Sequence, residues 1–330
     1  MSDPHDTIGP IPPALHRAAA ARLLGPSSGA DAAARFVRNA ASVGIDLGLL
    51  YGMMGPDARG APTVRQVCLA VPGSGRTAML FLSPPGEPER CGTMPEQASE
   101  RVAAIGAAMD ALRSRPAGGD GQPPFVVAQA LPEPGEIWAI ASFEQAGFTR
   151  VGDLAYLRAP MGALARIDDP GPLPEGVTLE PVGDLDDPAR RAVLIRALDR
   201  SYEDTLDCPA LCGMRPTEDV VDSHAATGVF DPRRWWIVML GGEPEGCCLM
   251  SHCPAHRSVE LVYVGLSPKI RGRRVGSNVM RRALRDVRQI KADEVTCAVD
   301  RSNAPALRLY ESLGFEEFTG RVAFVKRVHG

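Results

Sequence analysis

The sequence predicts an α/β (α+β) protein of two tandem, similar domains, each with a central mixed sheet flanked by helices. Its 330 residues are roughly twice the length of a typical domain. A segment rich in proline and glycine, residues 160–176, interrupts the periodic pattern. An aromatic-Glu-x-x-Gly-Phe motif followed by a strand-like segment occurs at residues 143–148 and again at residues 310–315. Because this motif lies near the end of each half, we predict a duplicated fold.

The proline- and glycine-rich segment sets the predicted boundaries. We predict a first domain at residues 1–160, a linker at residues 161–176 and a second domain at residues 177–330. In the second domain, apolar runs predict strands at 177–181, 235–240, 246–251, 259–266 and 294–299. Apolar residues at helical spacing predict helices at 188–200, 275–290 and 303–313. Asp186 or Asp187 is the predicted cap of the first of these helices.

The first half repeats the later part of this order. Apolar runs predict strands at 65–71, 77–82 and 125–131. Helical spacing predicts helices at 96–113 and 134–145. This correspondence supports the duplication.

The overall composition is that of an ordinary globular protein. Hydrophobic residues make up 45% and charged residues 23%, and the net charge of −4 argues against binding of nucleic acid by the whole chain. No stretch approaches the roughly 18 consecutive apolar residues of a membrane span. Residues 1–6 lack the basic and apolar segments of an export signal. We therefore expect a cytoplasmic protein that does not bind a membrane.

The eight cysteines are too widely spread for a disulfide scaffold, so we expect reduced thiols. A group of Cys and His residues between 208 and 256 lacks the paired C-x2-C spacing of structural zinc, and we predict no metal. The adjacent Cys247 and Cys248 are predicted to lie in a buried strand, with one side chain on each face of the sheet.

The most informative segment is residues 264–276, where a strand leads through a glycine-containing turn into a helix. Backbone N–H groups at a helix start and the positive end of the helix dipole bind anions, and glycine lets the backbone approach closely. Arg271, Arg273 and Arg274 add positive charge at the same place. The segment lacks the Gly-Lys-Ser/Thr ending of a P-loop and the G-x-G-x-x-G dinucleotide fingerprint. We predict a phosphate-binding turn of a different kind.

The order of motifs resembles the GCN5-related N-acetyltransferase (GNAT) family over about residues 177–327. The resemblance rests on a strand, Arg271-x-x-x-x-Gly276, an amphipathic helix, a further strand, and then Asn303-x-x-Ala306-x-x-x-Tyr310-Glu311-x-x-Gly314-Phe315. It implies transfer of an acetyl group from acetyl-CoA to an amine, with the turn holding the pyrophosphate. Arg274 stands where the family favours glycine. If that position requires a positive φ, the arginine costs about 1 kcal/mol.

The resemblance also implies a set of cofactor-binding residues. Backbone groups of the strand would pair with the pantetheine arm, and the turn would bind the phosphates. Asn303 matches a residue that helps to hold the cofactor, and it is equally suited to cap a helix. The implied set is Val264, Gly265, Leu266, Arg271, Gly272, Arg273, Arg274, Val275, Gly276, Ser277 and Asn303.

Two residues are candidates for proton transfer. An alkylammonium has a pKa of about 10.4, so a nucleophilic amine must lose a proton near neutral pH. Related transferases often place a glutamate four residues before the cofactor contacts, and Glu260 stands there; the alternative is an ordinary solvent-facing strand residue. Tyr310 matches the family tyrosine that protonates the departing CoA thiolate.

The acceptor is less well defined. In the family, the loop between the first two helices lines the acceptor pocket, here residues 201–216, and Glu203, Asp204 and Asp207 are candidates to attract a cationic amine. Loops are acidic for solubility too. Mycothiol synthases share the tandem layout and similar length, so a small thiol-sugar amine is one candidate acceptor. Polyamine, amino-acid, antibiotic and protein N-terminal acceptors remain open, as does the oligomeric state.

The first half lacks the predicted site. Its segment 83–92 carries prolines and acidic residues where a phosphate-binding turn needs N–H donors and positive charge. Phe143 stands where Tyr310 stands in the second half, and phenylalanine cannot donate a proton. We therefore predict a degenerate, noncatalytic first domain.

Three functions follow from these features. The leading prediction is a catalytic N-acetyltransferase that acts on a small-molecule primary amine in a direct ternary complex. The alternatives are a noncatalytic module that binds or senses CoA or acetyl-CoA, and a protein N-terminal or lysine acetyltransferase. A nucleic-acid binder using the basic segment 269–291 ranks last, because no interleaved aromatic residues accompany it. For that segment we predict three arginines on phosphates and a solvated basic helix face.

Overall fold

The computed structural model describes residues 6–29, 31–57, 60–117, 121, 123–164 and 166–329. Residues 1–5, part of the N-terminal segment considered above, and residue 165 of the predicted linker lie outside the described residues. The chain forms two compact units. Unit 1 comprises Met1–Arg150 and Val322–Gly330, and unit 2 comprises Val151–Arg321. These units follow strand pairing, whereas the division predicted at residues 160 and 176 follows the sequence duplication and stays a prediction.

Unit 1 contains a mixed sheet with helices on both faces. Its strands are β1 (Thr7–Pro10), β2 (Leu50–Pro56), β3 (Pro62–Gly73), β4 (Thr77–Leu82) and β5 (Val127–Ala130). Its helices are α1 (His16–Leu24), α2 (Ala32–Asn39), α3 (Pro88–Cys91), α4 (Met94–Ser114) and α5 (Ile137–Gln145). Strands β1 to β4 are antiparallel neighbours and β5 joins β4 in parallel. The predicted strands and helices of the first half are confirmed, with shifted ends.

Unit 2 contains the strands and helices of the candidate site. Its strands are β6 (Thr149–Pro160), β7 (Val177–Pro181), β8 (Trp235–Leu240), β9 (Glu243–Cys253), β10 (Ser258–Leu266) and β11 (Glu294–Asp300). Its helices are α6 (Met161–Leu164), α7 (Pro188–Tyr202), α8 (Thr217–Ala225), α9 (Val275–Asp286) and α10 (Ala304–Ser312). The last strand of the chain, β12 (Glu316–Arg327), begins in unit 2 and ends in unit 1.

The two sheets share one topology, which confirms the predicted duplication. In unit 2, β7 to β10 are antiparallel neighbours, β11 joins β10 in parallel, and β6 is antiparallel to β11. In unit 1, β12 takes the position of β6 and is antiparallel to β5, with Phe324 opposite Ala130. Each sheet therefore has four antiparallel strands, one parallel step and a final antiparallel strand. The final strand of each unit comes from the other half of the duplicated sequence.

The sheet of unit 2 is buried on both faces. One face packs against α9 and α10 through residues such as Val259, Val279 and Leu313. The other packs against α7 and α8 through residues such as Trp235, Leu198 and Val221. Cys247 faces the α7 side and Cys248 the α9 side, as predicted. Buried parallel and central strands of this kind are stabilised mainly by removal of apolar surface from water.

The predicted solvated basic face of α9 is only partly present, since the Arg285 side chain is 54% exposed and that of Arg281 is 21% exposed. Several of its arginines bind the segment that follows α6: Arg285 contacts Asp169 at 2.6 Å, Arg281 contacts Asp168 at 3.6 Å, and Arg282 donates to the carbonyl of Gly171 at 3.1 Å. Guanidinium groups suit carboxylates and carbonyl oxygens, so the basic helix and the acidic connecting segment complement each other. Among the described residues, no helix has the length and hydropathy needed to cross a membrane.

Candidate active site

A cavity of about 390 Å³ opens in unit 2 where β10 and β11 separate. The two strands pair in parallel only at residues 258–260 and 294–296. A bulge between Leu261 and Tyr263 then changes the register of β10 against β9. The cavity is lined by residues of β10, β11, α9, α10 and the loop after α7: Ser201, Asp204, Thr205, Leu206, Asp207, Leu261, Val262, Tyr263, Val264, Gly265, Leu266, Arg271, Gly276, Ala298, Val299, Asn303, Pro305, Ala306, Leu309 and Tyr310.

The end of β10 presents an open strand edge to this cavity. Val264, Gly265 and Leu266 pair with β9 on one side, and the pairing with β11 has ended at Glu260. Backbone N–H and C=O groups at such an edge pair readily with an extended ligand. The structure therefore brings the three predicted strand residues to the cavity along an edge that β11 does not pair, and the carbonyl of Leu266 there accepts a hydrogen bond from Arg271.

The turn before α9 also has the predicted anion-binding form. Within the described chain, the backbone N–H groups of residues 272–277 make no hydrogen bond to another backbone group. Gly272 has φ +74°, and Arg274, at the cap of α9, has φ +60°. The left-handed conformation that would favour glycine at position 274 is thus present. Free amides at the positive end of a helix dipole form a site for a negatively charged group.

The guanidinium group of Arg271 is directed away from this turn. It donates to the carbonyl oxygens of Leu266, Ser201, Glu203 and Asp204 at 2.7 to 3.0 Å. The side chains of Arg273 and Arg274, in contrast, are exposed and make no hydrogen bond or ion pair with the described residues. The sequence analysis predicted that the side chains of all three arginines bind phosphate. The geometry leaves Arg273 and Arg274 as the side chains available for it.

Tyr310 lies at the inner end of the cavity. It is only 5% exposed, its ring packs at 5.6 Å from that of Phe315, and its hydroxyl makes no hydrogen bond with the described residues. Burial raises the pKa of the Tyr310 phenol well above its usual value. The group therefore stays protonated near neutral pH and is able to donate a proton.

Glu260 is half-buried on β10, just before the bulge. It lies opposite Ser251 of β9 and Thr296 of β11, and it makes no hydrogen bond or ion pair with the described residues. Burial raises the pKa of its carboxyl group, and the nearby His256 partly offsets that effect. Glu260 is absent from the cavity lining, although the next residue, Leu261, belongs to it. Its predicted role as a base remains a prediction.

The loop after α7 closes one side of the cavity. Asp204 and Asp207 line the cavity, while Glu203 ends α7 and gives its carbonyl to Arg271. Asp207 accepts a hydrogen bond from the backbone N–H of Asp300 at 2.8 Å and another from Asn303. Burial raises the pKa of Asp207. Its carboxyl group thus fastens the loop to the end of β11, and its predicted attraction for an amine stays untested.

Asn303 both caps a helix and lines the cavity. Its Oδ1 accepts from the N–H of Ala306 at 3.3 Å, so it caps α10, and the residue also lines the cavity.

Asp300 was missed by sequence reasoning. It is 5% exposed and accepts hydrogen bonds from the N–H groups of Cys208 and Ser302. Its place at the end of a strand and just before a capped helix was the signal available.

Tyr263 was also missed, since one tyrosine in an apolar strand gives no functional signal. Its hydroxyl lies 2.7 Å from the Ser201 hydroxyl and its ring stacks on His224. A Cβ at Gly265 would lie 2.3 Å from that hydroxyl, so the residue at 265 must lack a side chain. Burial lowers the pKa of His224 to about 4, which keeps its ring neutral.

In the described residues no group of three or more His, Cys, Asp or Glu is placed to hold a metal ion.

The corresponding turn of unit 1 is filled by its own side chains. Gln97 accepts from the N–H of Gly86 at 2.9 Å and donates to the carbonyls of Gly86 and Gly92. Glu96 accepts from the N–H of Thr93 at 2.7 Å and completes a capping box at the start of α4. Phe143 packs between Phe148 and Phe324. The side chains of Gln97 and Glu96 thus occupy backbone N–H donors that an anionic ligand would need.

Comparison with known proteins agrees with this geometry. The sequence model of the acetyltransferase (GNAT) family matches residues 198–315, which contain both the turn and the Tyr310 motif. This part of the chain is therefore similar to the GNAT family. The whole chain also superimposes on a GCN5-related N-acetyltransferase from Sphaerobacter thermophilus with a TM-score of 0.57 and 18% identity, covering 100% of this chain and 98% of the other. That likeness shows the fold alone.

Two curated relatives carry the name mycothiol acetyltransferase. The protein from Tsukamurella paurometabola is 30% identical over 189 residues, which cover 54% of this chain and 60% of the relative. The protein from Streptomyces bingchenggensis is 27% identical over 173 residues, which cover 52% of this chain and 54% of the relative. The matches therefore span little more than half the length of these GNAT relatives.

Proposed function

We propose that the chain transfers the acetyl group of acetyl-CoA to a primary amine of a small molecule. The observation that carries this proposal is that one cavity joins an open strand edge, a turn of unpaired amides and a buried, protonated tyrosine. The amides of residues 272–277, with Arg273 and Arg274, suit a diphosphate. The edge of β10 suits an extended pantetheine arm.

The proposed chemistry is a direct transfer between two bound substrates. Glu260, directly or through a water, takes a proton from the ammonium group, and the neutral amine nitrogen forms a bond to the thioester carbonyl carbon. N–H groups of the open β10 edge stabilise the negative charge on the carbonyl oxygen. When the carbon–sulfur bond breaks, Tyr310 donates its proton to the departing thiolate. The protonated nitrogen of the adduct then loses its extra proton, which returns to Tyr310 directly or through water, so the products are an amide and free CoA.

A small-molecule acceptor is favoured over a protein acceptor. The curated relatives are named mycothiol acetyltransferase, after a small molecule, and the loop after α7 lines one side of a cavity of about 390 Å³. A noncatalytic CoA-binding module is the competing function, since the turn alone would suffice for it. The buried phenol, placed on the same cavity as the turn, favours catalysis.

We propose that unit 1 is not catalytic. Its turn amide at Gly86 already bonds Gln97, and Phe143 replaces the tyrosine of unit 2. A ligand would have to displace these internal contacts, which costs their hydrogen bonds without an equivalent gain.

The test is an amine-panel assay that follows release of the CoA thiol. Acetyl-CoA is offered with thiol-sugar amines, polyamines, amino acids, aminoglycosides and peptides. Cys212 is exposed, so the signal of the protein without acceptor must be subtracted. We expect CoA release with at least one small amine and none with peptides. Binding of acetyl-CoA by calorimetry without acetylation of any amine would contradict the proposal and favour the binding module.

A further inference from the structure

Arg271 joins two parts of unit 2 through its guanidinium group. Its Nε donates to the carbonyl of Leu266 at the end of β10, at 2.8 Å. Its Nη atoms donate to Ser201 at 3.0 Å, Glu203 at 2.7 Å and Asp204 at 2.9 Å. A guanidinium has five N–H donors, so four of them are committed to backbone oxygens.

The acceptors explain why an arginine suits this position. Helix α7 ends at Tyr202, and the last carbonyl groups of a helix lack partners within it. These oxygens carry the negative end of the helix dipole, which favours a cation. Asp204 has φ +50°, a conformation that aspartate rarely adopts, so the chain needs contacts that hold it there. Arg271 supplies such contacts, because it donates to the carbonyl groups of Glu203 and Asp204, which lie on the two sides of the Asp204 Cα.

The loop held by Arg271, residues 203–207, lines the cavity through Asp204, Thr205, Leu206 and Asp207. Its far end is fixed separately, because Asp300 donates its N–H to Asp207 and accepts from the N–H of Cys208 at 3.1 Å. Its near end depends on Arg271. The residue that begins the proposed diphosphate turn therefore also determines where the near end of the acceptor loop lies.

We propose that Arg271 is a positioning residue for the loop 203–207 and that its guanidinium is not a diphosphate ligand. The inference rests on the proposed function in taking this loop as the acceptor side of the cavity. Seating of the diphosphate on the adjacent amides fixes the turn, and the fixed turn holds the loop through Arg271. Binding of CoA thereby orders the acceptor side.

The test compares Arg271→Gln and Arg271→Lys with Arg273→Gln as the matched control. Hydrogen exchange of the Thr205 amide, bonded to the carbonyl of Tyr202, reports the near end of the loop, and exchange of the Cys208 amide, bonded to Asp300, reports the far end. Exchange of the β8 amides reports global stability. Calorimetry with CoA reports the diphosphate site. Lysine keeps the charge but cannot bridge several carbonyls in a plane, so it separates positioning from charge.

We expect both Arg271 variants to speed exchange of the Thr205 amide roughly tenfold, the effect of losing hydrogen bonds from a charged group, while the Cys208 and β8 amides are unchanged. The KM for the acceptor should rise more than kcat falls. Arg273→Gln should weaken CoA binding and leave the loop amides protected. Unchanged loop exchange in the Arg271 variants would overturn the proposal, whatever happens to CoA affinity. Absence of turnover in every variant and in the parent chain would count against the proposed function alone, since exchange and calorimetry need no acceptor.

Discussion

Burial raises the pKa of both candidate proton-transfer residues, Glu260 and Tyr310. The same shift suits a base in one case and an acid in the other. The higher pKa keeps the Tyr310 phenol protonated as an acid, and it makes the Glu260 carboxylate a stronger base. Neither side chain is neutralised by an ion pair within the described residues. At the scale of single residues, proton transfer therefore depends on desolvation.

Replacement of Tyr310 by phenylalanine removes one hydroxyl and keeps the ring that packs on Phe315. We expect turnover to fall roughly a hundredfold, the usual contribution of a general acid, with CoA affinity nearly intact. Steady-state kinetics and calorimetry measure the two effects. Tyr51→Phe in unit 1 is the control. Unchanged turnover in Tyr310→Phe would remove this residue as the acid.

The pH dependence tests Glu260. Only the ionised carboxylate accepts a proton, so kcat/KM should fall with decreasing pH as Glu260 becomes protonated. Because burial raises its pKa, this decline should occur above the ordinary glutamate value of 4.5. Glu260→Gln should lower kcat and abolish the decline, whereas Glu294→Gln on the adjacent strand should keep it. Persistence of the decline in Glu260→Gln would assign the base to another group.

At the scale of elements, the turn before α9 carries a measurable strain. Arg274 has φ +60°, where glycine has no steric penalty. Arg274→Gly should raise the free energy of unfolding by about 1 kcal/mol while weakening CoA binding through the lost charge. Urea denaturation and calorimetry measure these changes. Arg273 has no positive φ, so Arg273→Gly should lose affinity without gaining stability. Equal stability changes in both variants would argue against strain at position 274.

Local signals predicted the elements of unit 2 well. The strands β7 and β8 occupy the predicted residues, and Asp187 caps α7 by accepting from the N–H of Ala189. The turn and the Tyr310 motif meet at one cavity through Gly276 and Tyr310, because the spacing of strand, turn and helix is local, while their functional roles stay predictions. The predictions that failed concern contacts between residues far apart in the sequence. The side chain of Arg271 binds carbonyls about seventy residues earlier in the chain, and the arginines of α9 bind a segment more than one hundred residues earlier. No periodic pattern encodes such partners.

At the scale of the whole molecule, the exchange of final strands was likewise beyond the sequence. Strand β6 ends the first half of the duplicated sequence, yet it pairs with β11, and Ala155, Leu157 and Ala159 pack in the core of unit 2. Duplication predicts that each half is self-contained. Strand pairing depends on which edges meet in space, which a repeat in the sequence does not specify.

This exchange predicts which fragment folds. A fragment of residues 151–321 retains β6, whereas a fragment of residues 177–330 leaves β11 with an unpaired edge and removes four buried core side chains, Ala155, Leu157, Ala159 and Leu164. We expect cooperative thermal unfolding of the first fragment by circular dichroism and aggregation or a noncooperative melt of the second. Equally cooperative unfolding of both would show that β6 contributes little to unit 2.

The central claim is that the amides of residues 272–277 seat the diphosphate of CoA beside Tyr310. The most direct measurement is a titration of the isotope-labelled protein followed by backbone amide chemical shifts, with CoA in one series and pantetheine, which lacks the diphosphate, in the other. We predict that CoA moves the resonances of residues 272–277 and that pantetheine moves only those along β10. Resonances of residues 272–277 that stay unmoved at saturating CoA would contradict the account.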